Sequence, residues 1–221
     1  MYPQAMRDES ADPRIQAVLA AKNPDLASLV RRAARDDGLL ELLLDGLAEK
    51  NETWRYNCYK AVYRLAQEDP ARVYPYWDRV AGSLASDNAY HRAGAVLLLP
   101  LLLPADAERR FDRVRSRYFA LLDDESIVVA RYVAQSAASI AARRPNLLNA
   151  VVRGLLGIEK TRHPSSRKEL LKSDAIEALE RLLPSLSPVG RKQALAFAQA
   201  QAQSFSPRTR KAARRFLAAS R

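Results

Sequence analysis

The sequence predicts an all-α protein, an α-solenoid of about five to six antiparallel helix pairs. Three observations carry that reading. Strand signals are nearly absent, with no alternating β-branched run anywhere in the chain. Capping side chains stand directly before prolines from one end to the other. The helices so marked repeat, with an offset of 34 residues in the clearest pair.

The punctuation fixes the elements in order. Asp12-Pro13, Asn23-Pro24, Asp69-Pro70, Ser187-Pro188 and Ser206-Pro207 each place a side-chain acceptor before a residue that has no N–H to leave unpaired. Asp87 and Asp124 are further candidate caps, and Ser166 with Glu169 has the spacing of a capping box. Between these marks the spacing predicts helices near 13–21, 24–36, 39–49, 52–68, 70–85, 88–103, 105–122, 125–143, 146–159, 166–183, 188–204 and 207–219. Pro75 and Pro100 should kink or shorten theirs. Loops are short, so successive helices are neighbours. The whole of 1–221 reads as a single domain, with 1–50 as N-terminal capping helices, 51–183 as core repeats and 184–221 as a basic C-terminal capping pair.

The repeat is visible in residues. "DPARVYPYWDRV" and "LPADAERRFDRV" share Pro-Ala at the start and reach an aromatic-Asp-Arg-Val seven residues past the proline, at Trp77 and Phe111. "PNLLNAVVRGLL", from Pro145, is a fainter third copy. A partner helix precedes each: "NETWRYNCYKAVYRLA", "DNAYHRAGAVLLLP" and "ESIVVARYVAQSAASIA". These openings, with Arg55, Arg92 and Arg131 at or near one arginine position, resemble the second helices of HEAT-like (armadillo-type) repeats. The resemblance spans residues 50–183 and fades at both ends. It implies a right-handed, curved stack of helix pairs whose concave face binds a protein or, less often, nucleic acid.

Composition bounds the chemistry. Hydrophobic residues make up 48% of the chain and charged residues 28%, the balance of a folded protein. The longest apolar stretch, "AGAVLLLPLLLPA", is short and broken by Pro100 and Pro104, so it is not expected to span a membrane. A single cysteine, Cys58, excludes an intrachain disulfide and suits a reducing, cytoplasmic setting. Net charge is +11, but residues 125–221 alone carry eighteen basic and six acidic side chains, a net of +12. That asymmetry favours an anionic partner for the C-terminal end, set against a solvated basic face that only confers solubility.

Catalytic patterns are scarce. The two histidines, His91 and His163, lie far apart in unlike contexts, which leaves no metal-ligand spacing, and there is no Gly-rich phosphate loop. Cys58 sits in a packed helical pattern and reads as an inert buried thiol. No cofactor is expected. Some DNA alkylation-repair glycosylases are built from HEAT-like repeats and use Trp, Asp and Arg, types that Trp54, Trp77, Asp78, Tyr90 and Arg92 supply here. Against this, Asp78-Arg79 recurs as Asp112-Arg113 and reads more simply as a surface ion pair. The leading expectation is therefore a non-enzymatic scaffold that binds a protein through its concave or aromatic surface. The alternative is a nucleic-acid-binding protein, with or without glycosylase activity; neither membrane nor small-molecule substrate is expected.

Two groups of binding residues follow. Aromatics cluster between residues 54 and 90, and Trp54, Tyr56, Tyr59 and Tyr90 are the candidate groove, because Tyr and Trp are frequent anchors of binding surfaces. Arg191, Lys192, Arg208, Lys211, Arg214 and Arg215 are the candidate basic surface. At 100° per residue, Thr209, Ala212, Ala213, Phe216, Leu217 and Ser220 gather on one side of the last helix. This predicts a docked amphipathic cap rather than a loose basic tail.

Overall fold

The computed structural model describes residues 12–220, which are helices joined by short turns with no strand among them. They fall into two compact units that divide after Tyr76.

The first unit holds α1 (Pro13–Ala20), α2 (Leu26–Ala33), α3 (Asp37–Asp45), α4 (Glu52–Glu68) and α5 (Pro70–Val73). Asp12, Asp25, Asp36, Asn51 and Asp69 cap them, each side chain accepting a backbone N–H of the first turn. The cap of α2 is Asp25, not Asn23, so that helix begins two residues later than the proline suggests. Helix α4 packs against each of the others. Its buried Asn57 donates to the carbonyls of Leu19 and Ala21, both at 2.9 Å, and so closes the C-terminal end of α1. Gly46 passes so close to α4 that a methyl group there would overlap the Cys58 sulfur. The region of α5 is not one long helix: a 3₁₀ turn at Tyr74–Tyr76 interrupts it at Pro75, as expected of a residue that cannot donate.

The second unit holds α6 (Trp77–Gly82), α7 (Ala89–Leu102), α8 (Arg110–Ala120), α9 (Ile127–Arg143), α10 (Leu148–Leu156), α11 (Ser165–Leu182), α12 (Pro188–Gln201) and α13 (Pro207–Ala219). The longer helices pack in series, α7 on α9, α9 on α11 and α11 on α13, while α6, α10 and α12 lie against α7, α9 and α13 respectively. The α9 seam is built from small residues: Ala130, Ala134, Ala137, Ala138 and Ala141 are all buried, which lets its neighbours approach closely. Trp77 and Phe111, equivalent in the sequence repeat, are both sealed in the core and meet edge to face at 6.5 Å.

Pro100 lies inside α7 without breaking it. It cannot donate to the carbonyl four residues back, that of Val96, and the buried Tyr118 hydroxyl donates there instead at 2.8 Å. Burial holds that phenol well above its ordinary range.

Several caps differ from the sequence reading. Asn88 rather than Asp87 caps α7, accepting from the Tyr90 N–H at 2.9 Å. Helix α9 starts after Ser126, whose N–H is accepted by Asp124 at 2.8 Å. Ser166 and Glu169 form no capping box: α11 follows Pro164, and Glu169 turns inward to Lys172 and Ser204.

The last helix is a docked cap. Ser206 accepts from the Thr209 N–H, and Thr209, Ala212, Ala213 and Phe216 are buried where α13 meets α11 and α12. Phe216→Ala is expected to destabilise the second unit by about 3 kcal/mol, read from denaturant unfolding. A loss below about 1 kcal/mol would show that this helix contributes little to the packed core.

Candidate binding surface

An arginine four residues past the cap recurs in both units. Arg55 donates to the carbonyls of Glu49 (2.8 Å) and Lys50 (3.4 Å), Arg92 to those of Ser86 (2.8 Å) and Asp87 (3.0 Å), and Arg210 to those of Ser204 (2.6 Å) and Phe205 (3.4 Å). Each guanidinium thus ties its own helix to the turn that delivers it. Arg131 does not share this geometry, because it stands five residues past Ser126 and reaches across to the next long helix instead.

Arg92 and three other arginines also join successive repeats of the second unit. Arg92 also grips Asp124 with two bonds, at 2.7 and 2.8 Å, both side chains being almost wholly buried. The bonds to Asp124 hold the guanidinium above its ordinary range against the opposing effect of burial. Arg131 and Arg208 share the fully buried carboxylate of Asp174, at 2.6 and 2.9 Å, so α9, α11 and α13 are linked through one residue. Arg215 pairs with Glu180 at 2.7 Å one turn and a half further along α11.

The candidate basic surface is therefore divided. Arg208 and Arg215 are held in these pairs, and Arg191 donates to the Ser220 carbonyl at 3.1 Å. Lys192, Lys211 and Arg214 point into solvent, with no ion pair among the described residues. The aromatic candidates divide as well. Tyr56 is 59% exposed, with Lys60 lying over its ring at 4.5 Å, and Tyr90 is 63% exposed. Trp54 and Tyr59 are half-buried, the latter against Tyr63. Trp54, Tyr56 and Tyr59 belong to the first unit and Tyr90 to the second.

Val128, 48% exposed, was not singled out by sequence reasoning. It occupies the second helical position of α9, as Tyr90 does in α7, and these two helices pack together. Aligning "NAYHRA" with "SIVVAR" on their caps is the signal that pairs them. Tyr90 and Val128 thus place apolar side chains in solvent at the same register, on a layer whose neighbouring arginines are fixed by ion pairs.

The residues suggested by glycosylases do not form a catalytic set within the second unit. Trp77 is sealed in the core, Arg92 is bound to Asp124, and the Asp78 side chain is 92% exposed and lies 3.8 Å from Arg110. In the second copy of the repeated Asp-Arg, Asp112 takes Arg109 at 2.6 Å. Burial, with the nearby Glu49 adding to it, pushes the Cys58 thiol from 9.0 up to about 12, so it is protonated at neutral pH. No group of His, Cys, Asp and Glu among the described residues is arranged to hold a metal ion, and no described helix is long and apolar enough to cross a membrane.

No family model matches the sequence, and no curated protein does either. Solved structures do match in fold. A designed armadillo repeat protein in complex with the peptide (KR)4 is 16% identical, with 95% of this chain and 99% of that one covered and a TM-score of 0.60. An engineered protein is 15% identical, covering 94% and 97%, with a TM-score of 0.61. A second designed armadillo repeat protein is 15% identical, covering 95% and 99%, with a TM-score of 0.57. The chain has the HEAT-like, armadillo-type repeat fold, an all-α solenoid.

The buried arginine–carboxylate pair gives the test of this assembly. Asp124→Ala is expected to cost about 3 kcal/mol, because it removes the buried two-bond partner of Arg92 and leaves the guanidinium only the exposed Glu125 carboxylate, at 3.1 Å. A cost near that of a surface substitution, measured in urea, would show that the pair is dispensable.

Proposed function

We propose that this protein is a repeat scaffold that binds a peptide or a protein segment, with the exposed edge of α7 and α9 as its contact surface. The observation that carries the reading is the matched exposure of Tyr90 and Val128 beside helices whose ion pairs fix their register. A surface ordered before binding loses less side-chain freedom on contact, which favours affinity. The designed armadillo protein bound to (KR)4 supports the same use of the fold. That peptide is basic. This chain carries its positive excess in the second unit, so the segment it takes is expected to be acidic or neutral.

A protein partner is favoured over nucleic acid because Arg208 and Arg215 already meet carboxylates at Asp174 and Glu180. Lys211 and Arg214 remain to attract an anionic partner without defining it. Salt separates the readings: phosphate binding weakens steeply with salt, and an apolar contact responds much less.

The test is selection of binding peptides from a displayed random library. Tyr90→Ala with Val128→Ala is expected to leave stability within about 0.5 kcal/mol and to weaken the selected peptides by about tenfold or more. Peptides that bind the double variant as well as the parent would refute this surface. Lys211→Glu with Arg214→Glu should slow association and reduce its salt dependence, with dissociation little changed.

A further inference from the structure

The first unit carries a group of arginines that its own acids do not meet. Residues 1–50 hold seven basic and nine acidic side chains, so this end of the chain is negative overall. Three of those seven basic residues nonetheless stand together, at Arg31, Arg32 and Arg35. Their spacing from Ser28, three, four and seven residues on, places them along one side of α2 and the turn that follows it. With Ser28 and Asp36 they line a hollow of about 350 Å³. It shares no residue with the Tyr90–Val128 surface, which belongs to the second unit.

The acids around this hollow are engaged elsewhere. Asp25 caps α2 and Asp36 caps α3, each accepting a backbone N–H, and Asp37 takes Arg72. Asp12 caps α1 and lies 3.6 Å from Arg32, an exposed and weak pairing. Arg31 and Arg35 are exposed, and neither guanidinium has a hydrogen bond or ion pair among the described residues. Arg55, Arg64 and Arg72 of the same unit differ, since each holds a carbonyl or a carboxylate. The lining thus sets three positive side chains against one negative, inside a unit whose surroundings have the opposite sign.

That contrast narrows the occupant to a compact dianion. A guanidinium presents a planar fork of N–H donors that fits two oxygens of a tetrahedral oxyanion at once. A carboxylate would leave one of the two excess charges uncompensated. Nucleic acid needs a longer basic track, and the exposed Asp25, Asp37 and Glu41 nearby would repel an extended polyanion. All five lining side chains are polar, so nothing here holds the organic body of a small molecule, and only its charged group is gripped. We propose that this hollow binds a phosphomonoester dianion, with Arg31 and Arg35 as its forks and the Ser28 hydroxyl as a further donor.

The probes are inorganic phosphate and N-acetylated, C-amidated Gly-Ala-Ser-Ala-Gly, with its serine phosphorylated, unmodified or replaced by Glu. Each is titrated into the full chain by NMR with the Arg31 and Arg35 Nε–H signals assigned. The phosphopeptide is expected to shift both signals and to bind about tenfold tighter than the Glu peptide. Arg31→Gln with Arg35→Gln should abolish that preference, while Arg113→Gln with Arg117→Gln, which removes the same charge from the exposed side of α8, leaves it intact. Inorganic phosphate bound as tightly as the phosphopeptide identifies the phosphate group as the whole of the recognised chemistry. A tighter phosphopeptide identifies a phosphorylated segment as its source, and either result supports the site. Equal affinities for the phosphorylated and Glu peptides, unmoved arginine signals, a preference that survives the α2 double variant, or an equal loss in the α8 variant would each overturn the proposal. So would a thymidine decamer that displaces the phosphopeptide at its own concentration, which would mark a nucleic-acid surface. Thermal unfolding of each variant identifies any loss of fold. Should the α2 double variant unfold, Arg31→Lys with Arg35→Lys keeps the charge and removes the forks, and an undiminished preference there would equally overturn the site.

Discussion

Repeat packing of this kind rests on contacts between neighbours alone, and apolar contact has no direction of its own. What gives the second unit a fixed register is the set of arginines that α7, α9 and α13 send to adjacent carboxylates. Arg92 fixes the turn before α7 through two carbonyls and the start of α9 through Asp124. Asp174 then gathers Arg131 from one side and Arg208 from the other. The alanine-rich faces of α9 could slide by a turn with modest loss of burial. Such a slide would strand a guanidinium without its acid, and that penalty makes the apolar packing specific.

The same pairs change the meaning of the net charge. A count of side chains places the basic excess at the C-terminal end, and the simplest reading is a surface for anions. Six acidic side chains lie among residues 125–221, and all of them, Glu125, Glu159, Glu169, Asp174, Glu177 and Glu180, lie in ion pairs with Lys or Arg. The acids therefore act as internal fasteners. The positive side chains outside those pairs are spread over several helices, among them Arg153 of α10, Arg167 of α11, Lys192 of α12 and Lys211 and Arg214 of α13, which makes them a field that guides an approaching partner more than a site that grips it.

Fold and helix positions were legible because the signals are local. Asp69, Ser187 and Ser206 cap the helices that their prolines announce, and the apolar stripe of α13 is buried as its periodicity requires. Errors arose where tertiary partners compete for a polar side chain. Asp124 has the spacing of a cap but also faces Arg92, and Glu169 is drawn away from Ser166 by Lys172 and Ser204. The exposure of Tyr56 and Tyr90, against the half-burial of Trp54 and Tyr59, depends on which helix faces turn inward, and composition is silent on that.

Pro100 and Tyr118 show how such a contact constrains the history of the chain. The Val96 carbonyl can accept from an amide at position 100 and from the Tyr118 hydroxyl together, because a carbonyl oxygen has two lone pairs. A lineage that first exchanges the proline for alanine keeps that oxygen satisfied and is then free to exchange the tyrosine for phenylalanine. A lineage that changes Tyr118 first must pass through a chain with an orphaned buried carbonyl. The two routes reach the same pair of residues, yet only one is open at every step, so proline loss should precede tyrosine loss wherever both occur, and a double-mutant cycle would read that order as non-additive stability.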